Sequence, residues 1–401
     1  MTWDADAIVI GGGLNGPCAA LALAEAGMQV MLLDALPADL RADPEFDGRA
    51  YNLALGSQRF LSVIGLWDDL RPKAQPVRRV LLEGSGPLAH FDHAELDEGP
   101  ASVILEDRFL RQALLARLTA HPGVEARAPV RVADTRQGAA AAEVRTEDGQ
   151  VLRAPLLVAC DGRDSPAAAR AGIRRTGWGY DQTGFVCAVE HAAEHDATAR
   201  QRFLPGGPFA VLPLPGRRCS IVWTERGAMA DRIARLDDDA YLAEVAARLD
   251  GALGEVRLAG RRWAYPLRLS LARDWVRPRL ALAGDAAHAV HPIAGQGLNL
   301  GIRDAAALAE VTAEARRRGE DWGDLAVLRR YEQWRRFDAV SLSLGMDAVN
   351  RLFSNDNAGL RALREGGMRL AAALGPARRA FMAEAAGLSG EVPRMLRGKP
   401  V

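Results

Sequence analysis

Residues 284–305 read GDAAHAVHPIAGQGLNLGIRDA. Asp285 stands beside the first glycine, and Gly295 and Gly297 flank Gln296 just ahead of an apolar, helix-like run. These residue types suit the binding of a flat, polar ligand. A carboxylate at a strand end accepts hydrogen bonds from hydroxyls. Backbone without Cβ atoms admits close approach. A helix N-terminus presents unpaired N–H groups and stabilises negative charge. His288 and His291 stand three apart, but no third ligand is clustered with them, and zinc sites need three or four. Loop structure or a ligand contact is the better reading of both, and no metal site is expected.

A second segment gives the ligand its other end. Residues 6–34 read DAIVIGGGLNGPCAALALAEAGMQVMLLD. An apolar strand (Ala7 to Ile10) runs into G-x-G-x-x-G, a helical Ala/Leu stretch follows to about Ala26, and a second strand (Gln29 to Leu33) ends at Asp34. This is the βαβ pattern of dinucleotide binding. Gly11 permits the tight turn, and Gly13 lets backbone approach a pyrophosphate on the helix N-terminus. Gly16 lets helix and strand pack, and Asp34 accepts from ribose hydroxyls. The motif alone does not separate FAD from NAD. The 284–305 segment adds the distinction. A strand from Leu280 to Ala283 delivers Asp285 to a ribityl hydroxyl, and a helix starting near Leu298 faces the pyrimidine edge of a flavin, which is negative when reduced.

Taken with these segments, three further stretches resemble the class A FAD-dependent aromatic hydroxylases, which share the p-hydroxybenzoate hydroxylase fold. They are LLVACDGRDSPAAARAGI with Asp161-Gly162 at a strand end, GRAYNLALGSQRFLSVIGLWDDL from Gly48, and RFLPGGPFAVLPLPGRRCSIVWT from Arg202. The spelling HPIAGQGLNLGIRD, with RLFSNDN from Arg351, resembles the ubiquinone-biosynthesis hydroxylases, the UbiH/UbiF/Coq6 family. The resemblance implies that Gly11, Gly13, Leu14, Asn15 and Gly16 hold the pyrophosphate and Asp34 the adenosine ribose. It gives Arg49 the pyrophosphate or flavin side, and Gly284-Asp285 the pyrophosphate and ribityl side. Asp161-Gly162 would serve FAD and a nicotinamide donor, although Asp before Gly is also a common turn pair. Pro292, Gly295, Gln296, Gly297, Leu298 and Asn299 would line the isoalloxazine ring. Relatives often have Glu where this chain has Asp34. They also carry a polar flavin contact near VILEDRFLRQALLARL, where Arg111 is the candidate among Glu106, Asp107, Arg108 and Arg111.

The elements that must position these residues follow the same order. The expected fold is α/β: a Rossmann-like FAD-binding domain with an inserted β-sheet substrate domain and a C-terminal helical segment. The FAD-binding parts are 1–75, 101–175 and 271–330. A substrate-domain segment spans 76–100 and its β-sheet 176–270, where TGFVCAVE, FAVLPLP and RRCSIVWT are strand-like runs bounded by Gly and Pro. That sheet would roof a pocket over the flavin. Trp178, Trp223, Trp263 and Trp275 read as core rather than as substrate stackers. Residues 331–401 are helix-like, with Leu360, Leu363, Gly367, Leu370 and Leu374 on one face and Arg361, Arg364 and Arg369 off it.

Composition narrows the function. The 401 residues carry 51 basic and 51 acidic side chains, so a nucleic-acid partner is not favoured. Four scattered cysteines without a CxxC fit reduced thiols in a cytosolic protein. There is no basic region ahead of the first apolar run to suggest a secretory signal, and no uninterrupted apolar stretch of about twenty residues. Between Val340 and Val401 nine Lys/Arg stand against five Asp/Glu, a balance that suits a peripheral membrane contact or a protein partner as well as simple packing.

The resemblance then implies the reaction: hydroxylation of the ring of a polyprenylated phenol or quinol in ubiquinone biosynthesis, with O2 as co-substrate and a flavin C4a-hydroperoxide as oxidant. NAD(P)H or a separate reductase would supply electrons, since only one dinucleotide fold is visible. The cofactor carries the chemistry and the protein positions the ring, so no catalytic residue is assigned. Localisation would be cytoplasmic, peripheral on the inner face of the membrane, beside other ubiquinone-biosynthesis proteins. The alternatives are a class A hydroxylase of a soluble aromatic substrate and a FAD-stabilised non-catalytic subunit of a biosynthetic complex.

Overall fold

The computed structural model describes residues 3–84, 86–95, 98–291, 295–353, 366 and 374–401. Short, fully buried apolar runs make the four central strands of the first sheet. Its strand order is Val276–Arg277, Leu280–Leu282, Leu156–Ala159, Ala7–Ile10, Val30–Leu33 and Val124–Arg127, parallel except for the antiparallel pair Val276–Arg277 and Leu280–Leu282. Runs buried on both faces are what a parallel sheet covered by helices requires. The helices Asn15–Glu25 and Gly297–Arg317 pack on one another beside it, and the strand ends of Ala7–Ile10, Leu156–Ala159 and Leu280–Leu282 converge on one edge. Ligands of open α/β sheets bind at such carboxyl ends.

The second sheet has eight strands in the order His288–Ala289, Val256–Ala272, Arg175–His191, Arg218–Arg226, Gly207–Leu214, Thr198–Leu204, Arg79–Glu83 and Pro87–Asp92. Alternation gives it two different faces. Phe185, Cys187, Val189, Phe209, Val211, Ile221 and Trp223 point toward the helices Gly227–Ala234 and Asp238–Leu249, where Ile233, Tyr241 and Val245 complete a core. The opposite face meets the FAD-binding layer: Ala188, Leu212 and Ala259 pack with Val77 and Ile104. Two smaller three-stranded sheets complete the strands, Ala50–Ala54 with Ser102–Glu106 and Gln75–Pro76, and Val132–Gln137 with Ala142–Thr146 and Val151–Ala154.

The long helix Leu325–Phe353 crosses from one sheet to the other. Its Val327, Leu328 and Tyr331 lie in the main core, while Phe353 packs on Phe203 of the second sheet at 4.2 Å between ring centroids. The helix Gly375–Ala385 joins there through Met382 and Phe381, whose ring stacks on Phe91. The amphipathic face expected over residues 360–370 lies outside the described residues, and Leu374 at its end is exposed.

Candidate functional site

The first glycine motif is shaped by collisions a side chain would cause. Gly11 has φ +111°, and a Cβ there would meet the Cys160 carbonyl oxygen at 2.4 Å. A Cβ on Gly16 would lie 1.7 Å from the Gly11 oxygen. At Gly13, by contrast, an added Cβ meets nothing within 4 Å, so this backbone borders open space at the start of the helix Asn15–Glu25. That is the room a pyrophosphate needs. Gly12 has a use the sequence did not signal: a Cβ would fall 2.0 Å from Asp34 Oδ2, so the motif folds directly over that carboxylate. Asp34 is buried and held bidentately by Arg41, with Nε at 2.8 Å and Nη2 at 2.9 Å. A carboxylate so clamped still has lone pairs to accept from ribose hydroxyls.

Asp285 stands at the edge Leu280–Leu282 delivers. Its surface is exposed, yet the protein crowds around it so closely that desolvation raises its pKa above the ordinary carboxylate range, against the pull of His288, Arg163 and Arg175. Exposure inside a crowded surround describes a cleft. Arg175 braces the turn by donating to the Asp285 and Ala286 carbonyls and to Ser270 of the second sheet. Asp161 is more deeply placed. Its Oδ2 accepts from Ala167 N at 2.9 Å and, with Ser165, caps the short helix Pro166–Arg170. Burial raises its pKa, and Oδ1 is buried without a partner among the described residues. A Cβ on Gly162 beside it would meet nothing within 4 Å. Asp161 therefore combines the turn role with a spare buried acceptor.

The flavin-side loop is fixed by Asn299. Its Oδ1 accepts from Ala54 N at 3.0 Å and Ser57 Oγ at 2.7 Å, and its Nδ2 donates to the Asn52 oxygen at 2.8 Å. Its side chain is thus spent on protein, and what it offers a ligand is backbone, with Gly297, Leu298 and Asn299 forming the first turn of the helix Gly297–Arg317. Leu298 has its side chain in the main core. Gly295 has φ +63°, and a Cβ there would press on Asn52. Pro292 lies outside the described residues.

Arg49 and Arg111 are brought together by a group not assigned from sequence. Buried Asp107 takes Arg111 Nε at 2.6 Å and Arg49 Nη2 at 3.2 Å, and Arg49 also pairs with Asp47 at 2.6 Å. Burial lowers the Arg49 pKa, but the hydrogen bond and charges of Asp47 and Asp107 outweigh it and hold the guanidinium firmly charged. Its guanidinium carbon lies 4.7 Å from the centre of the Trp263 ring, so the pair ties the segment entering Ala50–Ala54 to the second sheet. Trp263 is half-buried at this junction and Trp178 is half-buried against Asp347 of the long helix, unlike Trp223 and Trp275, which are core as expected. Trp263 stacks with Tyr265 at an interplanar angle of 6°. In register with Trp263 across the second sheet run Val186, Val222, Ala210 and Gln201, none of them charged.

His291, just before the flavin-side loop, is buried and edge-on to Tyr180 at 5.1 Å; desolvation lowers its pKa to about 4, so it is neutral at physiological pH. His288 is wholly buried and serves loop structure through Asp304, at 2.6 Å. Asp304, Arg335, Arg41 and Asp47 were all missed, and Asp107 was named only as one of four neighbours from which Arg111 was chosen. Asp304 sits inside the quoted GIRD run seven residues after Gly297, which is the signal that could have found it.

The donor set fits FAD: an open glycine turn at one helix N-terminus, ribose-type carboxylates at Asp34 and Asp285, and a second helix N-terminus after Gly295. Known proteins agree. The FAD binding domain family matches residues 4–341. The chain is 42% identical to the ubiquinone hydroxylase UbiL of Rhodospirillum rubrum, covering 99% of this chain and 94% of that protein. It is 36% identical to the 3-demethoxyubiquinol 3-hydroxylase of Escherichia coli, over 95% and 98%. Its fold matches the crystal structure of p-nitrophenol 4-monooxygenase PnpA from Pseudomonas putida with a TM-score of 0.81 at 22% identity, over 98% of this chain and 100% of that one. The chain belongs to the FAD binding domain family, within the flavoprotein monooxygenases that include the ubiquinone-biosynthesis hydroxylases.

Proposed function

We propose that this protein is a FAD-dependent monooxygenase that hydroxylates the ring of a polyprenylated phenol or quinol intermediate in ubiquinone biosynthesis. Bound FAD supplies the redox chemistry with O2. The chain's part is to bind, orient and exclude water. Asp34, the Gly13 turn and Asp285 would hold the two ends of the cofactor, and the first turn of Gly297–Arg317 would offer its free N–H groups to the ring. Electrons come from NAD(P)H or from a separate reductase.

The observation that carries the substrate class is the apolar face opposite this edge. Trp263, Val186, Val222 and Ala210 form a continuous uncharged row, and the arginine stacked on its Trp263 ring, Arg49, is already held by Asp47 and Asp107. A hydroxylase of a soluble aromatic acid would need a cation to pair with the carboxylate; this row supports a greasy ring instead. The test is turnover by purified, FAD-loaded protein with a reductant, a short-chain prenylated phenol and isotopically labelled dioxygen. One labelled oxygen atom in the product supports the reading. Oxygen consumption with p-hydroxybenzoate but not with the prenylated phenol would replace it by the soluble-substrate reading.

Association with the membrane surface follows from such a substrate. No helix among the described residues is long and apolar enough to cross a membrane. The outer side of the long helix nevertheless exposes Phe337, Leu344 and Leu352, spaced so that they share one face. Replacing all three by Ser should reduce co-sedimentation with vesicles of anionic phospholipid; unchanged binding removes this helix from the membrane reading.

A further inference from the structure

Asp304 accepts hydrogen bonds from three groups of the cofactor half, yet it faces no ligand space. It is completely buried on the helix Gly297–Arg317. Its Oδ2 accepts from the Gly284 N–H at 3.0 Å and from His288 Nε2 at 2.6 Å, and its Oδ1 accepts from Arg335 Nε at 3.0 Å. Arg335 is itself fully buried and reaches on to Asp338 at 3.0 Å. Burial opposes the charge, but His288, Arg335 and the Gly284 N–H more than offset it, so Asp304 stays ionised below the ordinary carboxylate pKa.

The Gly284 peptide that it grips is under unusual constraint. Gly284 has φ +60°, and a Cβ there would strike Asn15 Nδ2 at 2.2 Å. The Asn15 side chain of the pyrophosphate turn is wedged between Gly284 and Gly301, where a Cβ would meet its Oδ1 at 2.2 Å. A bare-backbone residue in the left-handed region needs outside contacts to hold one conformation. The N–H bond to Asp304 is such a contact, and it lies one residue before Asp285.

We propose that Asp304 is a positioning residue for FAD: by anchoring the Gly284 N–H it fixes the direction in which Asp285 meets the ribityl side, and through Arg335 it ties that turn to the long helix. This rests on the assignment of Asp285 to FAD. A carboxylate is needed because all three partners donate. An amide in its place would turn an N–H toward at least one of them.

The test titrates apoprotein with FAD and follows flavin fluorescence and the visible absorbance bands. Asp304→Asn should weaken FAD binding by about tenfold or more, the size expected for loss of a charged hydrogen bond, and should shift the absorbance of the flavin that remains. Asp338→Asn breaks the other ion pair of Arg335 without touching Gly284, and should leave FAD affinity within about twofold. Equal losses in the two variants, or an unchanged affinity in Asp304→Asn, overturn the proposal. If Asp304→Asn does not fold, His288→Phe keeps the ring beside Trp275 while removing one donor to Asp304; it should weaken FAD binding severalfold, and an unchanged affinity overturns the proposal equally. Asp285→Ala separates the two claims: if that variant keeps full affinity, the underlying assignment fails, whereas loss there with full retention in Asp304→Asn defeats the inference alone.

Discussion

Asp285 carries the cofactor reading at the scale of single residues, because it is both exposed and crowded. Its replacement by Ala should lower FAD affinity by about tenfold to a hundredfold, the range for a lost hydrogen bond to an ionised group. Purified variant protein should therefore lose visible flavin absorbance, and full retention would contradict the assignment. His291 gives a second residue-level expectation. Its pKa, lowered to about 4, lies below the value of about 6.5 it would have in the unfolded chain. The unfolded state then binds more protons between those values, so stability drops as pH falls from about 6.5 toward 4. The loss is on the order of 3 kcal/mol at most, at 1.36 kcal/mol per pKa unit. Thermal melts at pH 7 and pH 4.5 should show a smaller drop in Tm for His291→Asn than for the wild type. An equal drop assigns the acid sensitivity to other groups. The glycines and Asp285 were legible in sequence because a missing side chain or a lone carboxylate leaves a type and a spacing. Arg41 on Asp34 and Asp107 under Arg49 were not, because the pairing of charges depends on how distant segments meet.

Among the elements, the two cofactor helices are joined by a lock whose sign can be tested. Gly301 lies inside the helix Gly297–Arg317, where Ala would ordinarily favour the helix by about 1 kcal/mol. The Asn15 side chain occupies the space a Cβ would take. Gly301→Ala should consequently lower Tm and FAD occupancy, and Asn15→Ala in the same chain should recover part of the Tm. A Gly301→Ala chain with a raised Tm would show that the contact yields without strain. The strands Ala7–Ile10 and Val30–Leu33 fall within a residue of their expected ends, since short apolar runs bounded by Gly and charge leave little choice. The 17-residue strands Arg175–His191 and Val256–Ala272 were harder to read. Their Gly, Arg and Pro positions suggest breaks, and irregularities do fall at Gly179/Thr183 and Val186/Ala188, but pairing with a neighbour far away in sequence carries each strand on past them.

Across the whole molecule, the function depends on two sheets meeting over one edge. The alternation of the second sheet separates a face packed under helices from the row of Trp263, Val186, Val222 and Ala210. Arg49 and Arg175 are among the polar ties between the layers. The sequence motifs announced the cofactor half because phosphates and ribose demand particular backbone and acids. The substrate half speaks only through apolar residues, which pack a core and line a pocket with equal ease, and so its class rests on where the face points. The central claim is the reaction itself. The direct measurement is to express the protein in bacterial strains that each lack one ubiquinone ring hydroxylase, and to assay their quinone lipids by mass spectrometry. Restored ubiquinone in at least one strain is the predicted result, and the rescued strain identifies the ring carbon. Failure in every strain, with FAD bound to the protein recovered from the same cells, would contradict a ubiquinone-ring hydroxylase.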